Sequence, residues 1–96
     1  MPLLTELYRQ FLAGQATADF MRQINACYTV GTLERLAAAG NRESRRAAVL
    51  ALGLVGDYQS NAVVGRALVD VDRGVRSIAE NSITSLWRRT GTERRR

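Results

Sequence analysis

The sequence predicts an all-α chain of about six helices, arranged as a short α-solenoid of stacked helix pairs. Three observations carry this expectation. Apolar residues recur at helical spacing, and no segment shows the sustained period-two alternation of a strand. Gly, Ser, Thr, Asn and Asp punctuate the chain where helices would stop and start. The third observation is an internal repeat. Residues 29–57 slide onto residues 60–88 with a shift of 31, which sets Thr29 on Ser60, Leu33 on Val64, Arg35 on Arg66 and Asn41 on Asp72. The same shift sets Arg42 on Arg73, Arg45 on Arg76, Ala48 on Ala79, Leu52 on Ile83 and Val55 on Leu86. A fixed period in this range marks units that bury their apolar faces by stacking, and it points to an extended surface rather than a catalytic pocket.

The first helix is expected from Leu3 to Ala13, with Leu3, Leu4, Leu7, Tyr8, Phe11 and Leu12 on helical spacing and Gly14 as the stop. Thr17 is a candidate N-cap for the second, which carries Phe20, Met21, Ile24 and Cys27 or Tyr28 on one face. Asp19 sits early in it, where the helix dipole favours an acid. Residues 1–28 match the repeat poorly and are expected to form an N-terminal capping pair.

Residues 29–59 form the first repeat unit. Thr29 or Thr32 opens its first helix, which carries Leu33 and Leu36 and stops at Gly40. Asn41 or Ser44 caps its second. From Ala47 to Gly56 that second helix has no polar face, so it is expected to be buried all round. Residues 60–90 form the second unit. Ser60 is expected to cap a helix with Val63, Val64, Ala67 and Leu68, and the turn follows at Val71-Asp72-Arg73-Gly74. The last helix has one apolar stripe, made by Val75, Ile78, Ala79, Ile83, Leu86 and Trp87. Residues 91–96 are expected to be a disordered basic tail.

Composition narrows the function classes. All 14 basic residues are Arg, and five of them lie in residues 88–96. Without that end, nine Arg face eight acids, so the body is nearly neutral and the high pI belongs to the tail. The longest apolar run, Ala47 to Gly56, is too short to span a bilayer, and the start of the chain lacks the pattern of a signal peptide. A single cysteine, Cys27, fits a reduced, cytoplasmic setting and reads as a small packing residue. There is no His, no metal-ligand cluster and no phosphate-binding loop, so no enzyme activity and no cofactor is expected.

The segments Ala48-Val49-Leu50-Ala51-Leu52-Gly53-Leu54-Val55-Gly56-Asp57 and Ala67-Leu68-Val69-Asp70-Val71-Asp72-Arg73-Gly74-Val75-Arg76 resemble the HEAT repeat, in the short bacterial form named after phycobilisome lyases. That family's unit ends its first helix in L-x-D, turns with an Asp, and continues V-R-x-x-A and A-L-G-x-[LI]-G-D. The second unit here carries the first half and the first unit carries the second half. Ala39-Gly40-Asn41 departs from the acidic turn, and Ser82-Ile83-Thr84 departs from A-L-G. The resemblance implies a right-handed stack of helix pairs that binds other proteins, without lyase activity.

Several residues are candidates for binding. Arg42, Arg45, Arg46, Arg73 and Arg76 fall at related positions, and Arg45 and Arg76 should lie about 10 Å apart if the units stack side by side. Such a ladder could hold phosphate or an acidic peptide. Alternatively, Arg76 ties down the turn through Asp70 or Asp72, with Asn41 serving Arg45 in the same way. Ile83, Leu86 and Trp87 would line an open C-terminal edge, a contact site for another helical-repeat segment or for a second copy of this chain. Trp87 and Tyr58 otherwise read as packing residues. The function expected is therefore a protein-binding scaffold or adaptor. The alternative is an Arg-rich anion-binding module for nucleic acid or an acidic partner.

Overall fold

Side-chain caps and glycines set most of the helix boundaries. The computed structural model describes residues 3–90 and contains six helices: α1 (Leu4–Leu12), α2 (Thr17–Cys27), α3 (Val30–Ala39), α4 (Arg42–Val55), α5 (Ser60–Ala67) and α6 (Arg73–Thr90). No strand occurs among the described residues, and none of the helices is long and apolar enough to cross a membrane. The tail expected at residues 91–96 lies outside the described residues.

Of the two candidate caps for α3, Thr29 serves: its Oγ1 accepts the Thr32 N–H at 3.1 Å. Of the two for α4, Asn41 serves, accepting the Ser44 N–H at 2.8 Å. Asp72, one period after Asn41, accepts the Val75 N–H at 2.9 Å at the start of α6. Two expected caps are corrected. Thr17 is the first residue of α2, and the preceding Ala16 offers no side-chain bond. Ser60 is the buried first residue of α5 rather than its cap. The start of α5 is instead held reciprocally: the Gln59 N–H donates to Asp57 Oδ1 at 3.0 Å, and the Asp57 N–H donates to Ser60 Oγ at 3.2 Å. This is close to the logic of a capping box, with side chains satisfying the backbone donors of the residues that lead into the helix.

Helix α4 touches all five other helices and is the centre of the fold. Helices α3 and α4 form one hairpin and α5 and α6 the next, with α3 beside α5 and α4 beside α6. Helices α1 and α2 pack on each other and on α4, and make no close approach to α3, α5 or α6. The core that results is continuous: Leu7, Phe20 and Ile24 from the N-terminal pair, Leu33, Val49 and Leu52 from the first hairpin, and Val64, Val75 and Leu86 from the second are all buried. The radius of gyration is 12.3 Å, as expected for a compact chain of this length at about 12–13 Å.

Burial corrects three further expectations. Helix α4 is not enclosed all round: Ala47, Ala48, Val49, Ala51, Leu52 and Gly53 are buried, but Leu50, Leu54 and Val55 are only partly covered. The C-terminal edge is not an open apolar stripe, because Leu86 is fully buried and Ile83 is 8% exposed within the chain's own core. Trp87 alone of that trio is exposed, at 38%. Tyr58, expected to pack, projects into solvent from the α4–α5 turn.

Candidate functional site

Two features bring the residues of interest together, and both grow from the pairing of α4 with α6. The first is a network of Arg and Asp where the first turns of α4 meet the α5–α6 turn. Arg45 donates to both oxygens of Asp70, Nε to Oδ2 at 2.9 Å and Nη2 to Oδ1 at 3.0 Å. Arg46 holds Asp72 in the same two-pronged way, at 2.8 and 3.0 Å. Asp70 Oδ1 also accepts the Asp72 N–H at 2.8 Å, which closes the turn on itself.

Arg76 does not take a carboxylate. It donates to the backbone carbonyls of Asp70 at 2.8 Å and Val71 at 3.3 Å. Arg45 also reaches the Gly40 carbonyl, at 3.0 Å, while Asn41 is engaged in capping. The bonds Arg45 to Gly40 and Arg76 to Val71 each span five residues and are one repeat period apart. The two hairpins thus close their turns with equivalent side-chain-to-backbone bonds. The carboxylates serve a different purpose, joining one hairpin to the other.

Electrostatics follow from this geometry. The hydrogen bonds from Arg46 hold the Asp72 carboxyl down to about 2, against an ordinary 3.8, although partial burial works in the opposite direction. Arg45 lowers Asp70 in the same way. Each carboxylate in turn raises its guanidinium partner. Gly74 makes room for the second pair: a Cβ there would come within 2.5 Å of Arg46 Nε. Burial raises the neighbouring Tyr8 phenol, and Arg46 partly offsets this. Arg42 and Arg73, at the first positions of α4 and α6, are exposed and form no ion pair among the described residues. Five candidate Arg therefore divide into three that are engaged within the fold and two that face solvent.

The second feature is a groove between α4 and α6. Leu50 and Leu54 from α4 and Ile78 from α6 form its apolar lining, and Asn81, Ser82 and Ser85 add polar groups, around a hollow of about 120 Å³. The groove is shallow because the helices touch at its base. A Cβ on Gly53 would lie 2.5 Å from Ser82 Oγ and 2.9 Å from Ser82 Cα. Leu50, Leu54 and Ile78 were legible as apolar helix residues, but their partial exposure depends on that close approach.

One residue with a defined place was missed in the sequence. Arg89, counted there with the basic tail, donates to the carbonyls of Gly53 and Gly56 at 2.9 Å each. It thereby satisfies the C-terminal end of α4, where a cation is favoured by the helix dipole. Its distance from Gly53 along the chain left no local signal. Comparison of the chain with protein-family models, with curated proteins and with solved structures finds no match.

Proposed function

We propose that the chain is a non-catalytic protein-binding module built from two HEAT-like hairpins, in which the side-by-side helices α4 and α6 present the binding face. The observation that carries this is the apolar groove of Leu50, Leu54 and Ile78 between two repeat-equivalent helices. The doubled turn, with Arg45 on Gly40 and Arg76 on Val71, supports the same repeat logic. A groove lined by apolar side chains with a few polar groups among them suits one face of an amphipathic helix, read through side chains at helical spacing. Helical hairpin repeats gain function by offering such surfaces, with no demand for reactive side chains.

The alternative, binding of nucleic acid through an Arg ladder, loses Arg45 and Arg46 to Asp70 and Asp72. The deciding experiment compares wild-type protein with Ile78→Asp as bait at two salt concentrations. A protein retained by wild type at both concentrations and lost by the variant, with helicity unchanged, supports the groove. Equal retention by both baits would overturn it. Capture of nucleic acid that weakens steeply with salt would favour the alternative.

A further inference from the structure

The α5–α6 turn exposes apolar side chains that neither the core nor the groove uses. Val69 is 81% exposed and Val71 is 91% exposed, with Leu68 half out of the core beside them. Isolated exposed apolar residues are ordinary on protein surfaces. Here three of four consecutive residues share one turn, at a place where polar turn formers are usual. The turn itself is held rigid. Asp70 and Asp72 alternate with the valines and point inward to Arg45 and Arg46, and Arg76 grips the carbonyls of Asp70 and Val71. A rigid turn presents its tip with little ordering cost on binding.

Charge flanks this tip on α4, α5 and α6, whereas α3 brings only Ala37 and Ala38 close to Arg66 and Asp70. Arg66 from α5 lies with Asp70 along one side, and Arg73 opens α6 directly after the turn. Arg42 opens α4 close enough to act on Asp72. Glu43, the nearest further acid on α4, is engaged by Arg9 at 2.8 Å. Six Arg (42, 45, 46, 66, 73 and 76) thus face two acids, Asp70 and Asp72, whereas the rest of the described chain holds five Arg and six acids. The positive excess of the described residues is concentrated at this end. Among the Arg, Arg42, Arg66 and Arg73 are exposed and form no ion pair among the described residues.

We infer that the α5–α6 turn is a contact site for an acidic protein segment carrying apolar side chains: Val69 and Val71 meet the apolar residues, and Arg42, Arg66 and Arg73 meet the acids. This rests on the protein-binding function proposed above and adds a second surface and a partner chemistry to it. Apolar contact at the centre with charge at the rim is how compact protein interfaces divide affinity from steering. A nucleic-acid backbone would answer the arginines and leave the valines uncovered. A membrane surface would be answered better by a longer amphipathic face with aromatic anchors than by Leu68, Val69 and Val71 on one short turn.

The test uses a labelled peptide of alternating Glu and Leu as the probe, with a Glu-Ser peptide, a single-stranded oligonucleotide and anionic phospholipid vesicles as comparisons. Amide chemical shifts of the full chain should move most at residues 66–73 on adding the Glu-Leu peptide. Val69→Ser with Val71→Ser should weaken that binding at least tenfold, and Arg66→Glu with Arg73→Glu should weaken it similarly. Both double variants change exposed side chains only, so their melting curves should match wild type and exclude misfolding. Shifts centred on Leu50, Leu54 and Ile78 instead would overturn this site while supporting the groove. No binding of the Glu-Leu peptide, or tighter binding of the oligonucleotide or the vesicles, would overturn it as well. Loss of groove binding in Ile78→Asp with peptide binding at the turn intact would show the two surfaces to be separate.

Discussion

Gly53 of α4 and Ser82 of α6 meet so closely that a single added methyl group on Gly53 would come within 2.5 Å of the Ser82 hydroxyl. Ala is the better helix former by roughly 1 kcal/mol, so propensity alone favours Gly53→Ala. The overlap opposes it, because the Ser82 Cα lies 2.9 Å away and backbone cannot swing aside as a side chain can. Overpacking of this kind costs about 1–3 kcal/mol. Gly53→Ala should therefore lower the urea midpoint, and Ser82→Gly should recover only part of the loss. A stabilised Gly53→Ala would mean that the two helices separate without cost.

Leu50 and Leu52 provide an internal comparison on one helix. Leu52 is fully buried, and Leu52→Ala should destabilise by about 2–5 kcal/mol. Leu50 lines the groove and is only partly covered, so Leu50→Ala should cost about 1 kcal/mol, near the middle of the general range for substitutions. Chemical denaturation of both variants checks the order. Equal losses would argue that Leu50 is enclosed in solution.

The Arg46–Asp72 pair makes stability depend on pH in a defined direction. The folded carboxyl of Asp72 is held at about 2 against an ordinary 3.8. A depressed folded value favours the folded state above the ordinary value, and that contribution disappears as pH falls through the folded one. Asp72→Asn should thus be less stable than wild type at pH 6. The gap should narrow below about pH 4 and close near pH 2. Urea midpoints at four or five pH values measure it, and a gap that stays constant would remove the pair as its cause.

Arg89 and Arg88 are neighbours with different tasks. Arg89→Ala removes both bonds to the end of α4 and should cost about 1 kcal/mol, the upper end for a cation at a surface helix terminus. Arg88 is exposed, and Arg88→Ala should leave the melting temperature unchanged. The contrast distinguishes a specific cap from a general effect of tail charge.

Much of the local structure was already present in the sequence. Six helices, the stop at Gly40 and the candidate caps, Thr29 or Thr32 and Asn41 or Ser44, are visible in it. These depend on residues within one or two helical turns of each other, where spacing and side-chain chemistry act directly. The central position of α4 was legible too, from its ten-residue apolar run.

Long-range pairing was decided only in three dimensions. Asp70 and Asp72 stand close to Arg76 in sequence, yet their carboxylates go to Arg45 and Arg46, 25 and 26 residues earlier. A local view assigns an acid to the nearest cation, whereas the folded chain assigns it to the cation that helix packing brings alongside. The same cause buries Ile83 and Leu86 instead of leaving them as an edge, because α6 lies against α4 along its length. It also exposes Leu50, because Gly53 and Ser82 set the spacing and depth of the groove. Periodicity along one helix determines which face is apolar, but only contact between helices decides how much of that face is covered.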